Sequence, residues 1–295
     1  MFRKIKNFSE LVMFEHTVFS AAFSLMAIVI SLYEKSLDQW DFWENFKLFL
    51  WCIVALIGAR NFAMAFNRFC DRDIDSKNSR TKSRPSVDGR VGVAAQIVFC
   101  LINAFLFVMA SYFINTLAFF LSFVFLVILA GYSYVKRFSV LAHYVLGVCL
   151  GLAPISGAIA MLGMVPIWSI ALSLGVMFWV AGFDLLYSLQ DLEFDKKEGL
   201  FSFPAKFGEK KTLVVSRISH ILAVIFWLLF VLLCGGGFFA FVGLTISAIM
   251  LVYEQYIVFK DFRNIPKAFF VTNGYLGFVF LGFMILDVLA RMYYA

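Results

Sequence analysis

Stretches of about twenty apolar residues follow one another along almost the whole chain, broken only by short polar segments. They predict nine helices, at about 11–32, 46–69, 91–114, 116–135, 140–162, 167–190, 212–233, 237–259 and 266–289. A helix needs roughly 20 such residues to cross the hydrocarbon of a bilayer, and these runs supply that length repeatedly. A transmembrane barrel would show short alternating strands instead, which continuous apolar runs contradict. The expectation is an all-α polytopic membrane protein.

The polar connections alternate in character. Counted side by side, one set carries 20 Lys and Arg residues and the other carries three, Lys35, Lys47 and Arg291. The richer set includes Arg3, Lys4 and Lys6, the long connections at about 76–90 and 191–211, and Lys136 with Arg137. Basic residues stay on the cytoplasmic side, so the amino terminus and both long loops are expected there, with the carboxyl terminus outside. The chain is 62% hydrophobic, with a mean hydropathy of +0.89. Its net charge of +6 is accounted for by this asymmetry and implies no nucleic-acid partner. The five cysteines are scattered, with no Cys-x-x-Cys pair, and read as packing residues rather than a disulfide framework or zinc site. The first apolar run follows basic residues but is as long as a full span, and reads as a retained helix.

Two acidic clusters stand out against this background. The first runs Asn67-Arg-Phe-Cys-Asp71-Arg-Asp73-Ile-Asp75, the second Asp184-Leu-Leu-Tyr187-Ser-Leu-Gln-Asp191-Leu-Glu193-Phe-Asp195. Asp71 and Asp191 are 120 positions apart, as are Asp75 and Asp195. Carboxylates four apart on a helix share a face, and their mutual repulsion calls for cations. Acidic groups at the edge of a membrane span are functional candidates. Such pairs suit Mg²⁺ ions carrying a diphosphate. The repeat extends further, since Tyr132-Ser-Tyr-Val-Lys136-Arg137 precedes Tyr253-Glu254-Gln-Tyr256 by 121 positions. It suggests two four-helix units, about 11–137 and 140–260, followed by a ninth helix at about 266–289, all within a single domain spanning 1–295.

The first cluster continues as Asn78-Ser-Arg80-Thr81-Lys-Ser-Arg84-Pro85. Asn-x-x-x-Asp-x-x-x-Asp followed by Arg-Thr-x-x-Arg-Pro resembles the signature of the UbiA superfamily of intramembrane prenyltransferases. The second cluster resembles that family's second Asp-x-x-x-Asp motif, in the form seen among bacterial 4-hydroxybenzoate polyprenyltransferase-like members. Tyr132-x-x-x-Lys136 matches a third shared element. The resemblance covers essentially the whole chain. It implies nine helices around a central cavity open to lipid. It also implies that Asn67, Asp71 and Asp75 hold one Mg²⁺ while Asp191 and Asp195 hold another. Asp88, after Arg84-Pro85, departs from the usual small polar residue.

The resemblance further implies an Mg²⁺-dependent transfer of a polyprenyl group from polyprenyl diphosphate to a ring carbon of a small aromatic acid. The expected setting is respiratory quinone synthesis at the cytoplasmic face of a bacterial inner membrane. Arg72, Lys136, Arg137, Tyr132 and Arg84 are candidate partners of the diphosphate. Glu15, Arg60, Asp184 and Tyr187 are candidates for the acceptor pocket. Arg60 suits a carboxylate, or else pairs with Glu15 or Asp184. Asp73 and Glu193 are either supports of the metal ligands or solvated helix ends. His143 and His220 read as helix-packing or interfacial residues, and His16 as either a residue of the pocket or a packing residue of the first helix. The acceptor is of the 4-hydroxybenzoate type or a dihydroxynaphthoate of menaquinone synthesis. A cation transporter would need its acids near the bilayer centre, whereas these lie at the edge beside Lys136 and Arg84.

Overall fold

In a computed structural model the backbone is described for residues 2–13, 17–35 and 41–294, and the side chains for 6–13, 21–35 and 41–294. Every element among them is helical. The first half comprises α1 (Phe2–Leu11), α2 (Thr17–Glu34), α3 (Phe42–Cys70), α4 (Arg72–Lys77), α5 (Val93–Ile114) and α6 (Thr116–Val135). Next come α7 (Ala142–Leu162), α8 (Ile167–Ser188), α9 (Leu192–Glu198) and α10 (Phe203–Phe207). The chain closes with α11 (Glu209–Leu233), α12 (Phe238–Lys260), α13 (Ile265–Lys267) and α14 (Asn273–Tyr294). Among the described residues eight helical runs, those containing α3, α5, α6, α7, α8, α11, α12 and α14, are long and apolar enough to cross a bilayer. The first expected span falls on α2, whose described apolar part, Ala21–Glu34, is shorter.

The helix predicted at 11–32 corresponds to α2, and α1 is a separate helix before it. α1 ends at Leu11, and Met13 takes a left-handed backbone with φ 44° before α2 begins at Thr17. The division follows from side-chain character. Leu11 and Val12 are buried with Ala65, Val91 and Cys100, and Phe8 stacks on Phe99 at 4.7 Å. The segment thus spends its apolar face on its own neighbours and keeps Glu10 outward. The last predicted span also begins differently. A 3₁₀ turn at Phe262–Asn264, the short α13 and a π-helical turn at Ala268–Thr272 lead into α14.

The chain forms two compact units. The first takes residues 1–17 and 41–135, hence α1 and α3 to α6. Here Gln96 donates to the Ala65 carbonyl at 2.9 Å, and Asn61 donates to Asn103 at 3.1 Å, joining α3 to α5. The second takes residues 18–40 and 136–295, so α2 packs with α7 to α14. Its core is aromatic: Phe23 lies 5.1 Å from Trp179 and 5.6 Å from Trp227 between ring centroids. Glycines bring helix backbones together within it, as small residues do in membrane packing. A Cβ on Gly157 of α7 would meet the Ser24 carbonyl of α2 at 2.7 Å. One buried polar chain crosses this core. Trp179 donates to Asn273 at 2.7 Å, and Asn273 donates to Glu254 at 2.9 Å.

Candidate functional site

The first acidic motif straddles the end of α3. Asp71 leaves ideal helical geometry, with φ −91° and ψ 5°, yet its N–H still bonds to the Asn67 carbonyl at 2.9 Å. The Asp75 N–H in turn bonds to the Asp71 carbonyl at 2.7 Å. One turn therefore separates each ligand candidate from the next, and all three share a side of the chain. The Asn67 amide donates to Asp71 at 3.1 Å. Asp71 and Asp75 are only 3% and 4% exposed, far below what a carboxylate accepts without partners. Asp73, between them, is exposed.

The loop after α4 is built around Asp75. Arg84 reaches both its carboxylate oxygens at 2.7 Å, and the Thr81 hydroxyl donates to its backbone carbonyl at 3.1 Å. The buried Asn78 starts the turn, accepting the Arg80 N–H on its side chain at 2.9 Å. Arg-Thr-x-x-Arg is thus a folding unit as well as a source of charge. Asp88 has a structural role here: it accepts from Arg90 at 2.7 Å, while Arg90 also pairs with Glu10 and donates to the Ser83 carbonyl. Hydrogen bonds to Asp88 and then Glu10 hold the Arg90 guanidinium above its ordinary value.

Arg68 was countable in the sequence only as a topological charge. It is buried, and its electrostatic neighbours are Arg84, Asp75, Tyr132 and Asp71. Tyr132 and Arg68 are likewise neighbours of Arg60. Arg84 and Tyr132 therefore share the surroundings of Arg68 with Asp71 and Asp75, while Arg60 has Tyr132 and Arg68 as its neighbours. Arg72 is half-buried at the start of α4. Glu15 and His16 lie outside the described residues.

The second motif lies past the end of α8. A 3₁₀ turn, Leu189–Asp191, carries the chain into α9, on which Asp195 is 9% exposed. Asp191 and Lys136 are charged neighbours of Asp195, together with the imidazole of His143. Glu193 points to solvent beside Lys196, at 3.5 Å. Gly199 ends α9 with φ 69°, a left-handed turn that suits glycine. Arg137 is half-buried.

Asp184 and Tyr187 have well-defined surroundings. Asp184 accepts from His143 Nδ1 at 2.7 Å. His143, read from the sequence as a helix-packing or interfacial residue, is buried, and its partner lies 41 positions away on another helix, so no spacing signals the contact. Tyr187 packs on Phe269 at 4.3 Å between centroids and edge-on to Phe270.

The donors suit Mg²⁺. All are hard oxygen ligands, at helix ends with cationic side chains alongside. Among the described residues no three His, Cys, Asp or Glu side chains converge as a complete metal cage. Mg²⁺ ordinarily takes one or two carboxylates and completes its octahedron with water and substrate phosphate oxygens, which is the share each motif offers.

Comparison with known proteins agrees with this chemistry. The model of the UbiA prenyltransferase family matches residues 18–283. A 4-hydroxybenzoate octaprenyltransferase of Pseudoalteromonas translucida is 29% identical over 239 residues, 80% of each chain. The enzyme of that name from Marinobacter nauticus is 30% identical over 228 residues, 74% of each chain. Among solved structures, a UbiA homolog from Aeropyrum pernix superposes with a TM-score of 0.81 at 30% identity. That match covers 92% of this chain and 98% of the other. A UbiA homolog from Archaeoglobus fulgidus bound to GPP and Mg²⁺ shares the fold, with a TM-score of 0.70 at 18% identity and coverage of 96% and 99%. The chain belongs to the UbiA prenyltransferase family and is an integral membrane enzyme.

Proposed function

We propose that this UbiA-family enzyme transfers a polyprenyl group from polyprenyl diphosphate to a ring carbon of an aromatic acid of the 4-hydroxybenzoate type, in respiratory quinone synthesis. The observation that carries the reading is the pairing of buried acids with cations in each motif. Asp75 lies in the grip of Arg84, and Asp195 lies beside Asp191 and Lys136. Acids alone repel a diphosphate, and bases alone would not need four carboxylates. The relatives named as 4-hydroxybenzoate octaprenyltransferases support this choice of acceptor.

On this reading Asn67, Asp71 and Asp75 hold one Mg²⁺, and Asp191 and Asp195 hold a second. When bound, the metal neutralises the diphosphate and makes it a better leaving group. Lys136, Arg84, Arg72 and Arg137 add positive charge at its oxygens, and Tyr132 offers a hydroxyl donor. The allylic C–O bond breaks, the ring carbon bonds to the freed allylic carbon, and the ring then gives up its proton. Arg60 holds the acceptor's carboxylate through its planar fork, with Glu15 and Tyr187 further members of the pocket. The chain crosses a bacterial inner membrane nine times, α2 being the first span, with the amino terminus and both motifs on the cytoplasmic side.

Membranes containing the overproduced protein should convert 4-hydroxybenzoate and a polyprenyl diphosphate into a prenylated acid, read by mass spectrometry. Product from a dihydroxynaphthoate alone would move the enzyme to menaquinone synthesis. No product from either acceptor, over several chain lengths, would overturn the reading.

A further inference from the structure

Past Gly199 the backbone N–H groups go to three separate anchors. Leu200 donates to the Asp195 carbonyl at 2.9 Å, and Phe201 donates to the Lys136 carbonyl at 2.9 Å. Phe203, the first residue of α10, donates to Nε2 of His143 at 3.4 Å. The segment 199–203 thus ties the backbone of a motif carboxylate to the backbone of a candidate diphosphate lysine. Its far end is held by an imidazole.

That imidazole is set by a second contact. His143 is buried in the first turn of α7, and its Nδ1 lies 2.7 Å from Asp184 Oδ2. Asp184 sits on α8, the helix that runs into the second motif. The two partners assign the tautomer, since a carboxylate accepts and a backbone N–H donates. Nδ1 carries the proton and gives it to Asp184, leaving the Nε2 lone pair for Phe203. The carboxylate thereby fixes both the tautomer and the ring orientation, as outer carboxylates do for histidines in functional sites.

We propose that His143, oriented by Asp184, is a positioning residue for the second acidic motif: it fixes the 199–203 segment, and through it the relative placement of Asp195 and Lys136. The inference rests on the prenyl-transfer reading above. It assigns Asp184 to this clamp rather than to direct contact with the acceptor. Its predicted signature is confined to the donor side, because the clamp ends on groups assigned to the diphosphate.

Backbone and side chain can be separated experimentally. Phe203→Pro removes the N–H and the ring, whereas Phe203→Ala removes the ring alone. Proline is tolerated at the first helical position, and Ser202 already has the extended backbone, φ −70° and ψ 150°, that a following proline requires. On the other partner, His143→Asn keeps a donor near Asp184 but cannot reach Phe203, while the side-chain oxygen of His143→Gln reaches the Nε2 position. The full-length protein in detergent would be titrated with geranyl diphosphate in Mg²⁺ by calorimetry, alongside steady-state kinetics and thermal unfolding.

Phe203→Pro and His143→Asn should each bind the diphosphate about tenfold more weakly and raise its KM in proportion, the order expected for one buried donor left unpaired. The acceptor KM should be unmoved. Phe203→Ala should stay within about threefold of wild type, and His143→Gln should recover most of the loss, on the same scale. Equal affinities within each pair, or a fall in thermal stability without a change in donor affinity, would overturn the clamp. If Phe203→Pro does not fold, the Asn and Gln pair decides. A wild-type protein that binds no diphosphate in Mg²⁺ would refute the prenyl-transfer reading itself, and the clamp's role with it.

Discussion

Asp75 shows how one side chain can be legible in sequence while its surroundings are not. A carboxylate four residues from another, at the edge of an apolar run, is conspicuous because the membrane penalises it. Its double contact with Arg84 depends on the turn through Asn78 and Thr81, which residue spacing only hints at. His143 and Asp184 were further from view, since their contact joins two helices and obeys no periodicity. Buried Glu254, held by Asn273, was visible as part of a repeated tyrosine element, but its partner lies on another helix. Lys136 carries a prediction at this scale. A compact ammonium suits phosphate oxygens, so Lys136→Ala should raise the KM for the prenyl donor by about tenfold, on the scale of a lost charge-assisted hydrogen bond. Steady-state kinetics in membranes would show this; an effect confined to the aromatic acceptor would refute the assignment.

The helices themselves were largely legible, because twenty-residue apolar runs leave few alternatives. The ends were less so. The end of α1 depends on where Phe8, Leu11 and Val12 find partners, which the sequence does not show. The π-helical turn before α14 has no sequence signal of its own; Asn273 donates to the Ala268 carbonyl at 3.1 Å and bridges it. Close helix packing also follows from contacts that sequence does not show. A Cβ on Gly147 of α7 would come within 2.3 Å of the Met177 carbonyl of α8, whereas one on Gly131 of α6 meets nothing within 4 Å. Gly147→Ala should therefore cost about 1–3 kcal/mol, the usual penalty of overpacking. Gly131→Ala should be neutral or slightly stabilising, since alanine is the better helix former. Thermal unfolding in detergent compares the two, and equal melting temperatures would contradict the packing described.

At the scale of the molecule, the alternation of charge predicts a sidedness. The loop after the first motif should lie in the cytoplasm and the turn between α7 and α8 outside. Ser83 and Met164 are exposed probe sites on these two connections. In a background free of native cysteines, Met164→Cys should react in intact cells with an impermeant maleimide, and Ser83→Cys only after lysis. The opposite pattern would reverse the orientation. The division into units was partly hidden, since α2 comes early in the chain yet packs with helices from its second half. Such long-range pairing leaves no mark on local periodicity. The proposed function rests on metal-dependent handling of a diphosphate, and one measurement tests that most directly. Transfer of a labelled prenyl group to 4-hydroxybenzoate should be followed in membranes as Mg²⁺ is removed with EDTA and restored, for the wild type, Asp71→Asn and Asp191→Asn. Chelation should abolish transfer, and added Mg²⁺ should restore it. Each variant should insert normally yet lose activity by orders of magnitude, as expected when groups that stabilise transferring charge are removed. Undiminished turnover in EDTA, or wild-type activity in either variant, would contradict a metal-held diphosphate at these two motifs.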